Sequence, residues 1–223
     1  MTRRLWGGLL LVAVCACATR PPAPPAQGAT PSSVAALVAA IEQDAQRSER
    51  EPDTKLRGEL AADAGRDAQS CLALEPQGAA CLYGRAIALG LNARAHPAHA
   101  GELLADMLAT LTRAESADPD YDEAGPARVR ALVLLRAPGW PLGPGDPEAA
   151  LAAARRAVEL QPRYPPNLLA LAEALAKSGD LSAARDTYAR ARDAALAQPA
   201  TADRDGWLRE ADQGLQRNGS GNP

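Results

Sequence analysis

The chain has 223 residues, 47% of them hydrophobic and 23% charged, with a formal charge of −3 and an isoelectric point near 5.5. It holds 52 alanines and 30 leucines but only three Trp, four Tyr and no Phe. Strands draw on β-branched and aromatic side chains, so a sandwich or barrel is excluded and helices are favoured. The apolar content excludes wholesale disorder, and the acidic balance removes the basic face that nucleic-acid binding needs.

The first twenty residues read as an export signal. Arg3 and Arg4 form a short positive region, and Leu5 to Val14 are almost wholly apolar. Ten such residues are too few to span ~30 Å of hydrocarbon but suit a secretory signal. Val14-Cys15-Ala16-Cys17 then resembles the bacterial lipobox, in which a small residue precedes the cysteine that becomes the lipidated N-terminus. Residues 1–16 are therefore expected to be a lipoprotein signal peptide, with Cys17 acylated. The alternative is ordinary cleavage after Ala18, which would release a soluble periplasmic protein. Residues 17–31 hold five prolines and read as an extended tether, with a reach of ~40 Å. Loss of residues 1–16 removes two arginines and takes the charge from −3 to −5. Such a chain does not seek anionic lipid, so acyl chains would have to anchor it.

Residues 32–217 read as one helical domain. Pro76, Pro119, Pro162 and Pro199 each follow a run of helical period, with a small residue (Cys71, Ala114, Ala157, Ala194) five positions earlier. Proline lacks an N–H and clashes with the previous turn, so each one closes a helix. The pattern predicts helices over about 32–49, 54–74, 79–93, 97–116, 122–136, 147–160, 165–178, 181–197 and 203–216. Ser32 or Ser33 would cap the first of these. Asp146-Pro147-Glu148 gives the sixth an N-cap, a proline at its first position and an early acid. Residues 218–223 are expected to be disordered.

The unit Pro165–Gln198 is the clearest. Leu168, Leu171, Ala172 and Leu175 line one face of a helix. Ser178-Gly179-Asp180 breaks it, and Ala184, Tyr188 and Ala191 form the facing stripe. This resembles the tetratricopeptide repeat (TPR) pattern, with small residues where two antiparallel helices touch. The second-helix pattern recurs at Ala150, Ala154 and Ala157, at Ala64, Ala68 and Cys71, and more weakly at Met107, Leu111 and Ala114. The resemblance implies an all-α solenoid of about nine helices, in which Trp207, Leu208, Ala211 and Leu215 give a C-terminal capping helix. Two units run nine residues longer than the repeat, so an irregular superhelix is expected.

No pattern of catalysis emerges. His96, His99 and Glu102 could be read as a metal set, but they read more simply as a loop leading into a helix. There is no phosphate loop and no nucleophile with its base, so neither enzyme activity, metal nor cofactor is expected. Cys71 and Cys81 flank the Pro76 turn and are candidates for a disulfide in an oxidising compartment, with two buried thiols as the alternative. The segment Ala137–Asp146 holds three prolines, three glycines and Trp140. Trp140 would either fold back on the core or form a lip over a ligand. A proline- and glycine-rich loop ending in Gly-Asp, before an Ala-rich helix closed by proline, is similar to the T component (TatT) of tripartite ATP-independent periplasmic (TRAP) transporters. That resemblance implies an outer-membrane lipoprotein facing the periplasm, a solute-binding protein as partner and a small apolar or amphipathic ligand. By helical spacing, Tyr83, Ile87, Arg130, Leu134, Leu169, Glu173 and Lys177 are candidates for the concave partner surface, with Trp140 beside them.

Overall fold

The computed structural model describes residues 33–219. Among them nine α-helices follow in order: α1 (Val34–Arg50), α2 (Thr54–Leu74), α3 (Ala79–Ala95), α4 (Ala100–Ala117), α5 (Tyr121–Arg136), α6 (Pro147–Leu160), α7 (Pro165–Lys177), α8 (Leu181–Leu196) and α9 (Ala202–Gly219). A 3-10 turn, Pro97–His99, precedes α4. No strand occurs among the described residues, and Gly139 and Gly145 form one isolated bridge. The expected signal, lipidation site and tether lie outside the described residues, as do residues 220–223. Residues 218 and 219 are not a disordered tail: they continue α9, and the Asn218 side-chain amide donates to the Gly214 carbonyl at 2.7 Å.

Capping side chains set the helix starts. Ser33 accepts from the Ala36 N–H, Asp53 from Lys55 and Leu56, Asp146 from Glu148 and Ala149, and Asp180 from Ala183. Each satisfies donors that the first helical turn leaves without partners. Gly179 closes α7 at φ +88°, a left-handed conformation that glycine adopts without a Cβ clash.

Consecutive helices pack antiparallel as the pairs α1/α2, α3/α4, α5/α6 and α7/α8, with α9 closing the last pair. Small residues line the seams: Ala64, Ala68, Ala114, Ala150, Ala154, Ala157 and Ala184 are fully buried. A missing side chain lets two backbones approach closely, and leucines from the first helices fill the gaps between seams. The first helices α1, α3, α5, α7 and α9 adjoin one another in sequence order, whereas the backbones of α2, α4, α6 and α8 stay apart and the Arg156–Glu115 ion pair bridges α6 and α4. The first helices therefore form the inner side, as in a TPR solenoid.

This pairing gives the body two ends. α1, α3, α5, α7 and α9 all start at one end, where the disulfide and a polar cluster sit. α5 and α7 finish at the other, where the Ala137–Asp146 loop projects.

Candidate interaction surface

The start of α5 departs from the expected helix. Asp122, Glu123 and Ala124 have φ of +50°, +53° and +63°, so one left-handed turn precedes the right-handed helix. A Cβ in this region costs about 1–2 kcal/mol per residue, and none of the three is glycine. Side chains hold the turn in place. Arg128 Nη1 donates to the carbonyls of Asp122 and Glu123, each at 3.1 Å, and to Asn167 Oδ1 at 3.0 Å. Its Nη2 donates to Asp122 Oδ2 at 2.7 Å, which also accepts the Tyr83 hydroxyl at 2.9 Å. Asn167 is fully buried and donates to the carbonyls of Glu123, Ala157 and Gln161. The Tyr164 ring faces the Arg128 guanidinium at 5.2 Å and meets Trp207 edge-on at 5.8 Å. A polar chain thus links α3, α5 and α7, and the Tyr164–Trp207 ring contact extends it to α9. Burial, and then the Asp122 carboxylate, push the Tyr83 hydroxyl pKa far above its ordinary value, so it stays protonated as a donor.

Two of the candidate surface residues prove to belong to the core. Tyr83 is 9% exposed and Leu169 3%. Tyr83 faces the polar cluster, and Leu169 packs with Leu168, Tyr188 and Ala211 under α9. Helical spacing cannot separate an inner face that is open from one that a neighbouring helix covers. Ile87 is half-buried between two core clusters, one that includes Leu82 and Met107 and one that includes Ile41 and Ala64. Arg130 is ion-paired with Glu115 of α4 at 3.0 Å, and Glu115 also meets Arg156 of α6. Glu173 takes a two-pronged contact from Arg136, whose Nε and Nη2 donate at 3.0 and 2.5 Å. Leu134 and Lys177 come together with the base of the loop in a cleft of about 530 Å³, walled by Leu135, Pro138 and Pro147. Cys71 and Cys81 are fully buried and joined by a disulfide, with Cα atoms 5.3 Å apart.

Trp140 neither covers the core nor closes a cavity. It is 90% exposed and Leu142 77%, although the loop that carries them is well tied down. The Gly145 N–H donates to the Pro138 carbonyl at 2.8 Å, Asp146 N–H to Leu134 at 2.9 Å, and Leu142 N–H to Gly139 at 3.1 Å. A Cβ on Gly145 would run into the Ala137 and Pro138 carbonyl oxygens, so only glycine fits there. The Leu142 side of the loop and the start of α4 (Gly101, Glu102, Ala105) enclose a second cleft of about 380 Å³.

Neither histidine joins a cluster. His96 Nδ1 lies 3.2 Å from the Asn92 carbonyl oxygen, and no group of three metal-ligating side chains gathers among the described residues. No described helix is long and apolar enough to cross a membrane.

Residues 142–202 match the tetratricopeptide repeat family. That span runs from the middle of the loop through α6, α7 and α8 to the start of α9. A thermophilic TPR protein from Thermus thermophilus superposes with a TM-score of 0.53 at 21% identity, over 81% of this chain and 92% of that one. A MamA RS-1 ArsTM double mutant aligns with a TM-score of 0.45 at 14% identity, over 83% and 98% of the two chains. The comparison with curated proteins finds no match. The fold is an all-α solenoid of the TPR type.

Proposed function

We propose that this chain is a non-catalytic scaffold that binds another protein, carried on a lipid anchor at Cys17 and facing the periplasm. The observation that carries the binding reading is the Trp140 loop. A rigid backbone holding an indole and a leucine in solvent spares a partner the entropy of ordering them, and aromatic anchors dominate binding energy at interfaces. The TPR-type fold supports a protein partner, since helical-repeat bodies offer long surfaces beside such anchors. The buried disulfide supports export, because such bonds persist in oxidising compartments.

The finer reading rests on the TRAP T-component resemblance. It makes the partner a periplasmic solute-binding protein, with the cleft of Leu134, Leu135, Pro138 and Pro147 open to a small apolar or amphipathic ligand. The deciding experiment is an affinity pull-down from solubilised membranes with wild type and with Trp140→Ala/Leu142→Ala, read by mass spectrometry. A single partner lost from the double variant is expected, and a solute-binding protein in that position supports the finer reading. An unchanged partner set removes the loop as the contact.

A further inference from the structure

The inner side ends at the capping helix in a groove of about 480 Å³, whose charged and aromatic lining is Arg136, Glu173, Tyr188, Arg209, Glu210 and Arg217. Arg136 is committed to Glu173 through both of its donated bonds, so that pair is neutral. Arg217 lies against the hydroxyl of Tyr188, whose ring is 3% exposed and packs tightly over Gly214. Arg209 has no hydrogen-bond or ion-pair partner among the described residues. Together with Gln213 it forms an i, i+4, i+8 ridge of Arg209, Gln213 and Arg217 along α9, all three lining the groove.

The charge balance selects the ligand. With Arg136 and Glu173 cancelled, two guanidiniums face one carboxylate, Glu210. Burial raises the Glu210 pKa, opposed by Arg136 and Arg217 and reinforced by Glu173. The groove therefore holds an excess of one positive charge within a chain of net charge −3. Guanidinium forks take carboxylate and phosphate oxygens in pairs. One excess positive charge balances a singly charged carboxylate, whereas a doubly charged phosphate would leave one negative charge uncompensated and be repelled more strongly by Glu210.

We propose that this groove binds a ligand through a carboxylate, held by Arg209 and Arg217 with the Gln213 amide between them. The carboxylate could belong to the end of a peptide or to a free organic acid. The site does not include Trp140, so its failure and the failure of the loop contact are separate results.

The test is calorimetric titration of the full chain with N-acetyl-trialanine as the free acid, with its C-terminal amide, with acetate and with inorganic phosphate. The free acid is expected to bind and the amide not. Arg209→Gln and Arg217→Gln should each weaken binding about tenfold, the scale of one charge-assisted hydrogen bond. Glu210→Gln should tighten it severalfold by removing the repelling acid. Arg209 has no partner to lose, so its variant keeps the fold, which circular dichroism checks. Acetate binding as tightly as the peptide acid assigns the site to small organic acids, and weaker acetate binding assigns it to peptide ends. Equal binding of acid and amide, phosphate preferred over the acid, an unchanged Arg209→Gln affinity, or no binding by any probe overturns the proposal.

Discussion

Arg128 and Asn167, 39 residues apart on different helical pairs, share a 3.0 Å hydrogen bond beside the left-handed turn at Asp122–Ala124. Through Arg128 the bond fixes the backbone of Asp122 and Glu123, and through Asn167 it reaches Ala157 and Gln161. Removing Arg128 takes the donor from the Asp122 carbonyl and from Asn167 Oδ1, and leaves the Glu123 carbonyl only Asn167 and Asp122 Oδ2 only the Tyr83 hydroxyl. Arg128→Met is expected to lower stability by about 3 kcal/mol in urea denaturation. The double variant with Asn167→Leu should lose clearly less than the sum of the singles, a coupling of about 1–2 kcal/mol. Simple additivity would remove the linked network.

Much of the fold was legible in the sequence, because its signals are local. Proline and glycine set where helices stop, Asp and Ser set where they start, and fully buried alanines at fixed spacing set the seams. The left-handed turn was not legible. Asp122, Glu123 and Ala124 favour an ordinary helix, and only distant partners impose the other hand. Gly125-Pro126 was the available hint, since proline prefers the first helical position. The surface was less legible than the fold. Tyr83 and Leu169 share their helical faces with open positions, and only the packing of neighbouring helices buries them.

The disulfide joins α2 to α3 across a ten-residue separation. Replacing Cys71 and Cys81 together by Ala should cost roughly 2–3 kcal/mol through the freed unfolded chain. Both cysteines are fully buried, so mild reductant should act only as fast as the protein opens. Rapid reduction of the native protein would contradict this placement. Free thiols are assayed by mass shift after alkylation.

The loop separates stability from binding. Trp140→Ala should change the melting temperature little, because the side chain lies in solvent. Gly145→Ala should destabilise the loop, because the new methyl meets two carbonyl oxygens. It should also abolish partner capture although Trp140 is still present. Full capture by Gly145→Ala would mean that loop geometry is irrelevant to binding.

Asp44 sets a pH dependence. Burial raises its pKa above the ordinary 3.8, with Asp67 adding to the rise and Arg47 and Arg66 opposing it. Between the two values the folded chain binds more protons than the unfolded one. The contribution of Asp44 is thus complete below pH 3.8 and is lost as pH rises through its folded value. Asp44→Asn should raise the melting temperature near neutral pH and flatten its profile across the carboxylate range. An identical profile for wild type and variant would exclude this assignment.

Lipid attachment is tested on the intact cell. Growth with an alkyne-bearing fatty acid should label the wild-type chain, and Cys17→Ser should lose the label. Labelling that persists without Cys17 would exclude that residue as the acceptor.

The alternation of helix direction has a geometric result. The chain enters the body at the start of α1, the end that holds the disulfide, while Trp140 projects from the other. With α1 17 residues long, the two points stand about 25 Å apart along the helix axis. A bilayer holding the first point and a visitor docked on the second would not compete for space, so mooring and capture could proceed at once.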